Sequence, residues 1–123
     1  MSERHEDLKA TSAKIGVSWA GARTIISPKE SLNYQNCHEL ETTLKGCCKQ
    51  SRSEIILDFK AVKYMDSEVL ELLVRMHDEL KMRGGVQKII GLNTVCRDIL
   101  DATRLINFLN VFNDINEAIR SMP

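Results

Sequence analysis

Hydrophobic positions change their period several times along the chain, and each change marks an element. Ile15, Val17 and Trp19 alternate with Gly16 and Ser18, the pattern of a half-buried strand with those three residues inward. Ala20-Gly21-Ala22 supplies a turn and Arg23–Ser27 a second strand, which Pro28 stops because proline cannot donate to a ladder. Asn36 with Glu39 reads as a capped helix start, followed by Cys37, Leu40, Leu44 and Cys47 on one helical face. That helix runs out through Lys49-Gln50-Ser51-Arg52-Ser53. Glu54–Phe59 is then apolar without alternation, as in a parallel strand covered on both faces.

After Ser67 the period returns to 3.6: Val69, Leu72, Leu73, Met76 and Leu80 form a stripe that should end at Gly84-Gly85. Val86–Leu92 predicts another strand, and Thr94 a capped short helix turning Val95, Ile99 and Ala102 inward. A last strand falls around Leu109–Phe112. Asp114 with Glu117 opens a final helix whose Ile115, Ala118, Ile119 and Met122 share a face. The order ββαβαβαβα predicts an α/β domain, a mostly parallel mixed sheet with about four helices. Residues 1–13 carry no periodicity and read as a leader, leaving 14–123 as one domain. Such sheets bind partners at the C-terminal ends of their strands, where the Ile55–Phe59 strand ends and the Ser67 helix begins.

Composition narrows the class. Of 123 residues, 43% are hydrophobic and 28% charged, an ordinary globular balance. Seventeen Lys+Arg match seventeen Asp+Glu, so the basic surplus expected of a direct nucleic-acid binder is missing. No apolar run approaches the ~20 residues that span a bilayer, which argues against membrane insertion. The charged start Met1–Asp7 does not resemble a secretory signal, so a cytoplasmic address is expected. Cys37, Cys47, Cys48 and Cys96 contain no C-x-x-C pair and read as reduced thiols.

Chemistry-bearing candidates are few. His5, His38 and His77 lie in unrelated contexts, and phosphate-loop, dinucleotide and nucleophile-elbow motifs are absent. Asp58 and Asp66 could pair as carboxylates, but no accompanying Ser/Thr and Lys pattern completes a phosphoryl-transfer site. The chain therefore reads as a binding module without cofactor or metal. Ser67 stands where a loop enters an amphipathic helix, and either Asp66 or Ser67 caps that helix. From Asp66 to Glu79 five acids face one Arg. A phosphate on Ser67 would add about 1.5–2 negative charges there. The helix dipole offsets only about 0.3–1 kcal/mol of the repulsion. The expected effect is a changed exposed patch and a changed choice of partner.

Ile55-Ile56-Leu57-Asp58-Phe59-Lys60-Ala61-Val62-Lys63-Tyr64-Met65-Asp66-Ser67 resembles the strand–loop–helix signature of STAS domains, the sulfate-transporter and anti-sigma-factor-antagonist modules. The likeness continues through Leu72, Leu73, Met76, Leu80, Arg83-Gly84-Gly85, Ile89–Leu92 and Arg97–Leu105. It implies a non-enzymatic antagonist that binds an anti-sigma factor serine kinase, is phosphorylated by it, and is restored by a phosphatase. By position Ser67 would be the phosphoacceptor. Asp66, Glu68, Glu71, Asn33 and Tyr34 would lie on the partner-facing edge; homodimerisation stays open. Glu68 and Val69 stand where the family usually has a small hydroxyl residue and glycine. Glu30-Ser31-Leu32-Asn33 replaces the frequent G-x-L-D. These departures point to a divergent partner, or to a STAS scaffold of a stress-signalling assembly or lipid-transport ATPase that works without the switch.

Overall fold

The structure, a computed structural model, describes residues 14–48 and 53–121. The leader at 1–13, the helix run-out at Lys49–Arg52 and the inward Met122 lie outside the described residues. Nine elements follow the expected order: β1 (Ile15–Ala20), β2 (Arg23–Pro28), α1 (Cys37–Cys47), β3 (Glu54–Asp58), α2 (Ser67–Met82), β4 (Val86–Ile90), α3 (Thr94–Ala102), β5 (Asn110–Val111) and α4 (Ile115–Arg120). One sheet holds all five strands in the order β1-β2-β3-β4-β5, antiparallel between β1 and β2 and parallel elsewhere. Gly21 turns the β1–β2 hairpin at φ 67°, a conformation glycine reaches without a Cβ penalty.

The continuous apolar run at β3 is buried on both sides. Ile55 and Leu57 enter the larger core with Leu40 and Leu44 of α1, Val69 to Leu80 of α2, and Cys96 and Leu100 of α3. Ile56 points to the opposite face, where Ile90, Ala118, Ile25, Phe112 and Ile115 form a second, smaller core under α4. Three helices thus cover one face and a single short helix the other. The α2 stripe is buried as its period requires, and the helix ends at Arg83 with Gly84 at φ 78°.

Three local expectations fail. Trp19 is 61% exposed, because the tip of an edge hairpin projects beyond helical cover; of the three alternating residues only Ile15 joins the core. Asn36 does sit at the start of α1 but its side chain makes no capping bond. It turns back instead, accepting from the Asn33 N–H (2.8 Å) and donating to Glu30 (3.1 Å) and the Ser31 carbonyl (2.9 Å). Finally, Asn93 rather than Thr94 caps α3, through a 2.8 Å bond from the Cys96 N–H. The buried face of α3 carries Cys96 and Leu100, with the expected Ile99 packed beside them, while Val95 and Ala102 are exposed.

On the second face Lys88 is buried with its ammonium fully engaged. It donates to Glu54 (3.0 Å) and to the carbonyls of Ala118 (2.8 Å) and Ser121 (3.1 Å), and lies 5.8 Å from the Phe112 ring centre. Arg23 reaches the same Glu54 oxygen at 3.2 Å. A buried ammonium is tolerable only with such partners, and here it also satisfies carbonyls at the C-terminal end of α4.

Candidate functional site at the entrance to the second helix

The loops after β2, β3 and β4 meet at the C-terminal edge of the parallel strands. The loop after β3 is stitched to its neighbour on one side by the Leu32–Met65 bridge and by bonds from Leu32 N–H to the Tyr64 carbonyl (3.1 Å) and Lys63 N–H to Ser31 Oγ (3.2 Å). On the other side Asn93 donates to the Lys63 carbonyl at 3.3 Å. Short hydrogen-bonded loops on a rigid sheet fix whatever they carry.

Asp66 is the cap of α2. One carboxylate oxygen accepts from the Val69 N–H at 3.2 Å, and the other from the Tyr34 N–H at 2.8 Å. A single side chain therefore holds both the helix entrance and the neighbouring loop. With the capping role taken, Ser67 becomes the first helical residue. It is exposed, and its hydroxyl makes no hydrogen bond among the described residues. Glu68 and Glu71 are also exposed and form no ion pair there, whereas the acids of the adjoining surface do: Glu41 meets Lys45 and Arg75, each at 3.3 Å.

The remaining candidates divide. Tyr34 is 67% exposed and stands beside Asp66 through its backbone bond. Asn33 is brought to the same edge, but its side-chain oxygen closes the local turn by accepting from Gln35 (2.8 Å) and Asn36 (3.3 Å) N–H groups. Asp58 does not join Asp66: its oxygens are taken by the Lys60 N–H (3.1 Å) and ammonium (2.7 Å). Sequence reasoning missed Tyr64, a second exposed aromatic on the same loop, which no periodicity singled out.

Local electrostatics are negative. Burial pushes the Cys37 thiol up, and the charges of Asp66, Glu68 and Glu41 push it further. Asp66 and Glu68 flank Ser67 in sequence, so the thiol senses the potential around that hydroxyl. Among the described residues no group of three or more His, Cys, Asp or Glu could hold a metal ion, and no helix is long and apolar enough to cross a membrane.

A mixed five-stranded sheet with an exposed serine one residue inside a capped helix defines a recognisable class. The STAS domain model matches residues 16–118, and the chain belongs to that family. No curated protein sequence matches it. Among solved structures it is similar to a Thermotoga maritima protein assigned as an anti-sigma factor antagonist, with 21% identity, TM-score 0.77, and coverage of 90% of this chain and 95% of that one. An anti-sigma-factor antagonist (STAS) domain protein of Planctomyces limnophilus gives 22% identity, TM-score 0.77, and coverage of 85% and 94%. The Bacillus cell fate determinant SpoIIAA in its phosphorylated form gives 17% identity, TM-score 0.64, and coverage of 85% and 96%. At these identities the likeness is one of fold.

Proposed function

We propose that this domain is a non-enzymatic anti-sigma factor antagonist of a cytoplasmic partner-switching pathway, controlled by reversible phosphorylation of Ser67. The observation that carries this reading is the Ser67 hydroxyl, exposed, free of internal hydrogen bonds among the described residues, and placed in the first turn of a capped helix. A SpoIIAA structure in a phosphorylated form exists on the same fold, and other neighbours are described as antagonists. An anti-sigma factor serine kinase would approach along the edge formed by Ser67, Glu68, Glu71 and Tyr34. Asp66 and Asn33 set the geometry of that edge from within.

Capping by Asp66 means that the Ser67 hydroxyl can be esterified without removing a bond that holds the fold. The added dianion would sit between Asp66 and Glu68, two carboxylates already close to it in sequence. Repulsion of that size exceeds the relief from the helix dipole. The phosphorylated edge would therefore reject the acidic or apolar surface that the unmodified edge accepts, and a phosphatase would restore binding.

The test is to incubate the protein with its serine kinase and ATP, locate phosphate by mass spectrometry, and measure kinase binding by wild type, Ser67→Ala and Ser67→Asp. Phosphate on Ser67 alone is expected, with binding retained by Ser67→Ala and lost by Ser67→Asp. Phosphate elsewhere or nowhere, with equal binding by all three proteins, would overturn the reading. An ATP-insensitive complex would then favour a scaffolding role.

A further inference from the structure

Strand β1 closes one side of the sheet, and among the described residues its only strand neighbour is β2. The Lys29 N–H donates to the Lys14 carbonyl at 2.8 Å, which fixes the phase of that pairing. Along the register, Gly16, Ser18 and Ala20 then exchange bonds with Ser27, Ile25 and Arg23, and Ile15, Val17 and Trp19 occupy the intervening positions. Pro28, which has no N–H to give, stands opposite Ile15 and agrees with this phase. The backbone N–H and C=O groups of Ile15, Val17 and Trp19 therefore point away from the sheet, toward an open edge.

Natural sheets blunt such edges with short strands, charges, proline or a bulge. The opposite edge follows that rule, since β5 is only Asn110 and Val111. By contrast β1 runs for six residues, Ile-Gly-Val-Ser-Trp-Ala, without a charge or a proline and in unbroken register with β2. The chain's one tryptophan, Trp19, lies on this edge and is 61% exposed.

The strand's own sequence selects what covers it. Antiparallel pairing with a second copy about a two-fold axis at Val17 sets Val17 against Val17, and Ile15 against Trp19 twice. All three outward residues are used, and three pairs exchanging two bonds each make six. An axis at Ser18 leaves Ile15 out and makes four, and β5 of another copy has only two residues to offer. Side chains directly opposite share a face, so each Trp19 falls beside the Ile15 of the other copy. Lys14 comes opposite Ala20, so no like charges face each other in the paired segment.

We propose that β1 pairs with β1 of a second copy, joining two five-stranded sheets into one continuous sheet. The axis turns the C-terminal edges of the parallel strands in opposite directions. The two Ser67 entrances therefore lie at opposite ends of the dimer, separated from the junction by β2. The pairing does not depend on phosphorylation, and its test needs neither kinase nor phosphate.

The unphosphorylated full chain is followed by sedimentation velocity and tryptophan emission from about 10 µM to about 1 mM, the range suited to a small interface. A monomer–dimer equilibrium is expected, with the emission of Trp19 shifting to the blue as dimer forms. Val17→Pro removes an outward N–H without touching the bonds to β2, and should stay monomeric throughout. Trp19→Ser, a change at an exposed position that leaves the fold intact, should weaken the dimer about tenfold or more. In an equal mixture of isotope-labelled and unlabelled chains, filtered NOEs should join the Trp19 ring to Ile15 of the other copy. A monomer at about 1 mM, which would leave the edge to a strand of another protein, overturns the proposal. So does a dimer that a folded Val17→Pro or Trp19→Ser chain forms as tightly as wild type, or one whose intermolecular NOEs lie away from β1.

Discussion

Replacing Asp66 by alanine removes two acceptors at once, and the geometry gives each loss a size. The cap bond to the Val69 N–H is worth about 0.5–2 kcal/mol. The second bond, to the Tyr34 N–H at 2.8 Å, is charge-assisted but lies in the open, so solvent takes up most of its loss and about 0.5–1 kcal/mol remains. Asp66→Ala should therefore cost about 1–3 kcal/mol. Asn is as good a helix cap as Asp, so Asp66→Asn should keep the Val69 bond and lose mainly the Tyr34 one, at about 1 kcal/mol or less. Ser67→Ala removes a hydroxyl with no internal partner and should stay within about 0.5 kcal/mol of wild type. Urea unfolding at constant m-value measures all three, and amide exchange at Tyr34 reports the loop separately. Exchange at Tyr34 should accelerate in both Asp66 variants and not in Ser67→Ala. If Ser67→Ala were as destabilising as Asp66→Ala, the cap would belong to Ser67 and the free hydroxyl would not exist.

Three further outcomes are expected. Lys88→Met should cost about 3 kcal/mol in denaturant unfolding, because Glu54 and the Ala118 carbonyl lose a buried cation; a cost under about 0.5 kcal/mol would make that network dispensable. The depressed His77 pKa means the unfolded chain binds more protons there than the folded one as pH falls through about 6.5. Stability should consequently decline on acidification through that window, and His77→Phe should flatten that part of the profile; an unchanged profile would mean that burial does not depress the pKa of this half-buried ring. Cys37 should react slowly with iodoacetamide at neutral pH, since burial and then the charges of Asp66 and Glu68 raise its pKa, and more slowly still in Ser67→Asp, which adds a charge between those two. Equal rates would mean that the thiol does not sense that edge.

Legibility in the sequence followed the range of the interaction. Elements defined by period could be read directly: the unbroken apolar run of β3 demanded cover on two faces, and the stripe from Val69 to Leu80 demanded one. Choices between adjacent polar residues could not. Asn93 and Thr94 are both competent caps, and only the backbone path selects the first; Asn36 has a cap's address but spends its amide on the preceding loop. Ser67 was visible as a hydroxyl at a helix entrance, but whether Asp66 or Ser67 takes the Val69 N–H was another choice between adjacent polar residues, and the second bond of Asp66, from the Tyr34 N–H, spans 32 positions, a distance at which composition is silent. The buried Lys88 was missed for the same reason: its partners lie 30 or more positions away, so nothing near it in the chain marks it as other than surface.

Strand order in this sheet coincides with chain order, and that has a consequence for how the domain assembles. Thr24 meets Ile55, Glu54 meets Val86 and Lys88 meets Asn110, so each parallel pairing closes a single excursion of broadly similar length. No strand has to wait for a distant partner to be inserted beside it. Closure entropy grows slowly with length, so successive steps carry comparable penalties, and the sheet can extend outward from the β1–β2 hairpin one crossover at a time.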